Sequence, residues 1–385
     1  LFHIFLSLGF DLPDLRKSTV ERYLSDPDLP TDVKELLAVR AKASLASTSK
    51  YKALLRSVNH DDRLRGTLQY SGASRTRRWA GRLFQPQNLP RPSHKQPDID
   101  FAIDAIKSEC LDILAPDEIM EYASSCIRGV IAAPEGKKLV VADLSNIEGR
   151  VAAWVANEDW KLQAFTDYDT YKLDEDGERI PDGKGDYERM GPDLYKKAYA
   201  KAFNISPSEV TSKQRQIGKV MELGLQYGGG VNAFKTFALV YRLDLKELAD
   251  TAWPLLPPDI KSECDSMFEW WVGQKRSLYD LDPHIFKAMD GLKRLWRRAH
   301  PGISTLWKEL ETAARQAIRN KGEKYKAGRV TFVRSGNWLR CLLPSGACLC
   351  YPSPKIKGEG DISYMGVNHY TRKWGRLKTY GGKFL

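Results

Sequence analysis

Apolar residues recur at helical spacing over residues 14–58 and predict two helices. Ser18 or Thr19 is a candidate cap for the first. Thr31-Asp32 can cap the second, with Leu36, Leu37 and Val39 following. Over residues 66–90 that period is lost. Gly66, Gly72, Gly81 and Pro86 punctuate a stretch rich in Arg, Gln and Asn, which reads as strands and turns presenting polar side chains. The helical pattern returns over 98–128, and Gly136 breaks the chain. The run Leu139-Val140-Val141-Ala142 then predicts a short buried strand over 138–143, ending at Asp143. Directly after it, Ser145-x-x-Glu148 has capping-box spacing before a helix with Ile147, Val151, Trp154 and Val155 on one face.

Residues 166–192 lack apolar periodicity and are rich in Asp, Gly and Pro, as in an exposed insertion. From Pro207 to Tyr227 the pattern is again helical, ending at Gly228-Gly229-Gly230. Helical segments dominate to about residue 320. Strands and turns are expected from Lys324 to Tyr380, and no internal repeat is present.

Length and charge narrow the reading. A chain of 385 residues can hold two or three domains and a large core. Its 60 Lys and Arg against 49 Asp and Glu give a net charge of +11, which suits a polyanionic partner. The excess is local: residues 50–91 hold ten Lys and Arg, with Asp61 and Asp62 as the only acids. Such a stretch fits a phosphate backbone, or equally a solvated basic face. Six cysteines without a CxxC pair form neither a disulfide framework nor a zinc motif. No transmembrane run occurs. The start, Leu1 to Phe10, is apolar but short and lacks an initiator Met, which leads us to expect a fragment or a processed product.

Two segments carry the candidate chemistry. Asp143, at a strand end, is a rigid hard-oxygen ligand for Mg²⁺, with the Leu144 carbonyl beside it. It reads equally as an acid facing the positive end of a helix. Glu148 has a capping role available that needs only its carboxylate. In the second segment Arg215 and Lys219 are four apart and share a helix face. Leu223 and Tyr227 continue that stripe with about 40° of drift per step. Two cations above an aromatic suit a nucleoside triphosphate, and Lys219 can pass a proton to departing pyrophosphate. A solvated amphipathic helix is the plain alternative. Gly218, Gly224 and Gly228 are poor helix residues, and they suggest close backbone approach to a ligand.

These segments resemble motifs A and B of the DNA polymerase I-type (family A) DNA polymerases, in a bacteriophage-like version. Thr76-Arg77-Arg78-Trp79-Ala80-Gly81-Arg82, leading to Gln87-Asn88-Leu89-Pro90, is similar to the family's primer–template segment. The resemblance covers nearly all of the chain from about residue 50. It implies an α+β right-hand polymerase fold, truncated at both ends, with an antiparallel palm sheet and helical fingers. Residues 1–65 would be thumb-base and palm-entry helices. Residues 66–160 would be palm with motif A, 161–335 fingers with motif B, and 336–385 a return to the palm.

The resemblance also implies residue roles. Asp143 and the Leu144 carbonyl would ligate catalytic Mg²⁺, of which two ions are expected in the complete site. Glu148 would be the gate against a ribose 2′-OH. Arg215 and Lys219 would bind the triphosphate, and Tyr227 would stack at the nascent pair, with Gly228 allowing the turn. Arg78, Arg82, Gln87 and Asn88 would touch primer–template DNA. Tyr195 stands where many relatives place a phosphate-contacting His. Leu223 replaces the Phe or Tyr often found there, and Arg77 a usual Gly.

The family's motif C, a His-Asp pair, should follow motif B. After Tyr227 there are His284, His300 and His369, but no His-Asp; the sole His-Asp is His60-Asp61, which reads as a loop. No carboxylate cluster suggests a proofreading exonuclease. The expectation is therefore a DNA-directed DNA polymerase acting on primer–template DNA and deoxynucleoside triphosphates. It would need a C-terminal segment or second chain carrying motif C, in a bacterial or phage-infected cytoplasm with no membrane partner. Two alternatives remain: a non-catalytic binder of primer–template and nucleotide, and a single-subunit RNA polymerase, which Glu148 opposes.

Overall fold

The computed structural model describes residues 2–384 except 13, 16, 25, 27, 28, 44–48, 74, 75, 117, 184, 242, 359, 369, 370 and 372. The His369-Tyr370 pair therefore lies outside the described residues. The chain divides into two units, Leu1–Ala142 and Asp143–Leu385.

In the first unit, short helices α1 (Phe2–Ser7), α2 (Lys17–Leu24) and α3 (Thr31–Ala43) bury Phe5, Leu12, Val20, Val33 and Leu37 in one small cluster. Ser18 and Thr19 fall inside α2 instead of capping it. Helix α4 (Ser49–Ser57) leads to β1 (Leu68–Gln69) and β2 (Ala80–Gly81), which pair antiparallel. Helices α5 (Gln96–Lys107), α6 (Leu111–Leu114) and α7 (Ile119–Cys126) enclose a further cluster around Ile99, Ala102 and Cys126.

The expected strand at 138–143 does not form: residues 137–144 carry no regular secondary structure. A strand needs a neighbour to take its backbone N–H and C=O groups, and no described strand pairs with it. The apolar side chains that were to be buried stand in solvent, Val140 at 83% and Val141 at 90% exposure.

The second unit is built from helices on two antiparallel sheets. Helices α8 (Ile147–Ala156) and α9 (Asp159–Asp169) open it. Of the exposed insertion expected over 166–192, residues 166–169 belong instead to α9, and residues 170–192 form an exposed excursion held by bridges Tyr171–Arg189, Leu173–Arg179 and Pro181–Tyr187. Helices α10 (Leu194–Phe203), α11 (Ser212–Leu225), α12 (Val231–Val240), α13 (Leu245–Ala252), α14 (Pro258–Gly273) and α15 (Pro283–Ala299) then share one core. Val220, Met221, Phe234, Met289 and Trp296 are among its fully buried members.

Helix α16 (Pro301–Arg319) joins helices to sheets. Leu306, Leu310, Ala313, Ala314, Ala317 and Ile318 repeat at three and four residues, forming a single apolar stripe. That stripe packs on Phe332, Leu339 and Cys341 of the four-stranded sheet β3 (Lys324–Ala327), β4 (Val330–Ser335), β5 (Trp338–Leu342) and β6 (Cys348–Pro352). The second sheet orders β7 (Lys355–Lys357), β8 (Asp361–Val367) and β9 (Trp374–Thr379), and α17 (Gly381–Phe384) ends the unit. The α+β class and the strand-rich 324–380 region are as expected.

Candidate active site

The two expected motifs meet through one hydrogen bond. Tyr227 Oη donates to Glu148 Oε2 at 3.1 Å, across 79 residues of sequence. This bond explains a correction. Helix α8 is not capped by Ser145 and Glu148: its N-cap is Asn146, in a left-handed conformation (φ 54°), with no side-chain cap bond. The Glu148 carboxylate is turned toward α11 instead of back to its own helix end.

The start of α8 is held by Arg150. Its Nε donates to the Ser145 carbonyl at 2.9 Å, while its two Nη atoms reach Asp169 of α9 at 2.5 and 2.8 Å. The guanidinium also lies over the Phe165 ring. Asp143 and Leu144 precede this anchor in exposed chain, Leu144 at 71%. Their oxygens are of the kind Mg²⁺ takes. Among the described residues, however, no three His, Cys, Asp or Glu side chains converge to hold a metal ion. The donors suit the metal in kind.

Helix α11 begins later than expected, at Ser212, after a 3₁₀ turn at Pro207–Glu209. Thr211 and Gln214 form a reciprocal capping box: Gln214 N donates to Thr211 Oγ1 at 3.3 Å, and Thr211 N to Gln214 Oε1 at 2.9 Å. The next residue is Arg215. Its Nε donates to Asp193 Oδ2 at 2.9 Å, and Asp193 also caps α10. The Arg215 guanidinium lies 5.4 Å and the Lys219 ammonium 6.0 Å from the Tyr195 ring centre. Lys219 is closer to Tyr241, at 4.3 Å. Burial, with Tyr241 and Glu222 nearby, holds the Tyr195 phenol above its ordinary range. The tyrosine thus stays neutral beneath two cations. Leu223, like Arg215 and Lys219, is half-buried.

The glycines of α11 have another explanation than the ligand approach expected. A Cβ on Gly218 would lie 2.3 Å from the Tyr195 carbonyl oxygen, so α10 packs directly on α11 there. Gly224 faces Phe234 and Phe237 of α12. Only Gly228 has a turn to make: its φ is 74°, and a Cβ would meet the Tyr380 ring at 3.1 Å.

In the first unit, Arg78, Arg82, Gln87 and Asn88 are all exposed. Arg82 bonds Gln69 and the Gly81 carbonyl, and Asn88 donates to Gln85 Oε1 at 3.1 Å. Two cations of this unit hold backbone carbonyls. Lys50 donates to the Phe84 carbonyl at 3.0 Å, and Arg128 to the carbonyls of Pro90 and Leu89. Arg77 takes φ 56°, the left-handed conformation that the usual Gly would adopt. Asp61 is bound by both Nη atoms of Arg65, at 2.9 and 2.7 Å, within its exposed loop. That pairing lowers the Asp61 carboxyl to about 2 and supports the loop reading of His60-Asp61.

Three participants were not read from the sequence. Asp193 and Tyr241 set the two cations of α11; the Pro-Asp step before α10 was the available signal for the first. The third is Glu222, which is buried on α11.

The description DNA polymerase family A matches residues 15–250 of the chain. A DNA polymerase of Bacillus phage SP02 is 31% identical over 388 residues, covering 98% of this chain and 49% of the relative. DNA polymerase I of Pseudomonas aeruginosa is 30% identical over 102 residues, 26% of this chain and 9% of that protein. The chain thus spans half or less of the length of the curated relatives it matches. Among solved structures, the POL domain of Pol1 from M. smegmatis, in complex with DNA primer-template and dNTP, covers 84% of this chain. The match takes in 50% of that chain, at 16% identity and a TM-score of 0.37.

Proposed function

The chain belongs to DNA polymerase family A, and on that premise we propose that it serves template-directed nucleotidyl transfer to a primer 3′-OH. The observation that carries the proposal is the Tyr227–Glu148 bond at the end of the stripe of Arg215, Lys219 and Leu223. It joins a sugar-facing acid, a base-facing aromatic and two phosphate-facing cations in one unit. Arg215, steadied by Asp193, and Lys219, over Tyr241, hold the triphosphate, and Lys219 protonates the leaving pyrophosphate. Glu148, occupied by Tyr227, excludes a 2′-OH. Asp143 and the Leu144 carbonyl hold Mg²⁺, which when bound offsets charge on the reacting oxygens. Arg78, Arg82, Gln87 and Asn88 contact primer–template DNA, and the division into thumb base, palm, fingers and returning palm is retained as part of this proposal.

The second metal carboxylate is proposed to come from a segment carrying motif C that is not among these 385 residues. Two observations support this: among the described residues Asp143 belongs to no group of three or more metal-type side chains, and the apolar run before it is open to solvent. The first observation also favours a second reading, in which the chain binds primer–template and nucleotide without catalysis. Primer extension separates the two. The chain with a supplied motif C segment should extend a primer with dNTP and reject rNTP. Binding without extension under every such supplement would leave the binder. Robust extension by the chain alone would refute the divided site.

A further inference from the structure

Glu222 sits on α11 seven residues after Arg215, close to two turns, and so nearly in line with it. It is 2% exposed, and three groups from different elements converge on its carboxylate. Lys161 of α9, fully buried, forms an ion pair with Oε2. Trp296 of α15 donates through Nε1 to Oε1 at 2.8 Å. His300, between α15 and α16, donates through Nδ1 to the Trp296 carbonyl at 2.8 Å. Its Nε2 lies 2.9 Å from Glu222 Oε1, in ionic reach although off the line of a good hydrogen bond.

Burial pushes the Glu222 carboxyl up, but the Lys161 ammonium and the His300 ring beside it outweigh burial and keep the acid below the ordinary carboxylate range. A buried ion pair is a poor device for stability alone, because apolar residues of the same volume often serve as well. What it adds is direction. Lys161 belongs to α9, which Arg150 and Asp169 tie to α8, the helix that carries Glu148. The Lys161–Glu222 pair therefore links α11 to the two helices that present the partner of Tyr227. Rotation about the α11 axis is the motion it resists. At a side-chain radius of ~5–6 Å, a 20° turn moves a group by about 2 Å. That is enough to break the 3.1 Å Tyr227–Glu148 bond.

We propose that Glu222 is a positioning residue: held by Lys161, Trp296 and His300, it sets the rotation of α11 so that Tyr227 meets Glu148 and the nucleotide-facing stripe is presented in register. The link to nucleotide selection rests on the polymerase reading; the structural coupling does not, and it is measured first. Thermal unfolding is compared for the native chain, Tyr227→Phe, the charge-free pair Lys161→Met/Glu222→Gln, and the triple variant. Removing both charges together leaves neither Lys161 nor Glu222 as an unpaired ion in the core. Tyr227→Phe should lower Tm by about 1–3 °C in the native background and leave it unchanged in the paired variant. Equal shifts in both backgrounds would overturn the proposal. Should the paired variant fail to fold, Lys161→Met alone takes its place, since Glu222 then keeps Trp296 and His300.

Second, primer extension is measured with the motif C segment supplied. The paired variant should lose at least tenfold in dNTP-over-rNTP selectivity, chiefly through KM, with primer–template affinity unchanged. Native selectivity in that variant would also overturn the proposal. If even the native protein fails to extend, the polymerase reading falls, and the unfolding comparison alone decides the role of Glu222.

Discussion

Helix α11 and residues 139–142 both carry the apolar positions of a buried element, and they reach opposite states. In α11, Ile217, Val220, Met221 and Leu225 are at most 4% exposed, whereas Val140 and Val141 are 83% and 90% exposed. The difference lies in where backbone hydrogen bonds come from. A helix closes its own, so α11 needs neighbours only for its side chains. A strand borrows them, so an apolar run without a pairing partner stays unformed however well patterned it is. The proposed nucleotide-binding stripe thus lies on a formed helix, whereas the proposed metal ligand Asp143 follows a run that no described strand pairs with.

The largest expected effect tests whether the unformed half matters. Asp143→Asn should reduce extension in the supplemented assay on the order of 10³-fold or more, with primer–template binding retained. Lys219→Met, on the formed half, should lower kcat by ~10²–10⁴-fold as a lost general acid. Full activity of Asp143→Asn would remove the metal-holding role from this segment and with it the contrast between the halves.

A smaller effect probes the exposed run directly. Val141→Lys places a charge on a side chain already in solvent. The chain's own stability should change by no more than ~0.5 kcal/mol, as for an ordinary surface substitution. If the run is where a motif C strand pairs, stimulation by the supplied segment should fall at least tenfold, read as the segment concentration giving half-maximal extension. Undiminished stimulation would place the pairing elsewhere. Val220→Lys in α11 is the opposite control, and should prevent folding of that unit by burying an unpaired charge.

How much could be read in advance follows the same division. The helices and the strand-rich 324–380 region were legible, because local period and turn residues determine them. The shared helix of Arg215, Lys219 and Leu223 was legible too, as a matter of spacing, whereas Tyr227, expected on the same helix, lies in the turn past its end at Leu225. What long-range contacts decide was not. The glycines of α11 looked like ligand contacts, and Gly218 proves to be where α10 packs. Glu222, read in sequence, is one more acid on an amphipathic helix; its partners Lys161, Trp296 and His300 lie 61, 74 and 78 residues away. The strand at 138–143 was inferred from composition that only a partner could have realised.

Acid should expose the Glu222 cluster. Its carboxyl is depressed in the folded chain, so the stabilisation is fully present above the unfolded value of about 4.3 and is lost as pH falls toward the folded value. Below about pH 4.3, unfolding takes up one additional proton through this group, a slope of about 1.4 kcal/mol per pH unit. Lys161→Met/Glu222→Gln should flatten that acid limb by about this amount, leaving the contributions of exposed pairs such as Asp61–Arg65. An unchanged limb in denaturant titrations at pH 3 and 5 would mean that the pair is not charged as drawn.

The finest comparison is between caps that look alike on paper. Ser145-x-x-Glu148, Ser206-x-x-Glu209 and Thr211-x-x-Gln214 share one spacing, yet only the latter two close as reciprocal boxes. Glu148 is drawn away by Tyr227, so Ser145 has no reciprocal partner. Thr211→Ala should therefore cost about 1 kcal/mol of stability, the usual loss for a formed cap, and Ser145→Ala only a few tenths. The further step is Tyr227→Phe, which releases the Glu148 oxygen. In that background Glu148 can turn back to its own helix end, and the cost of Ser145→Ala should rise toward that of Thr211→Ala. Chemical denaturation of the four variants measures all of this. If Ser145→Ala costs the same with and without the Tyr227 hydroxyl, the contact across α8 and α11 is not what opens the first box.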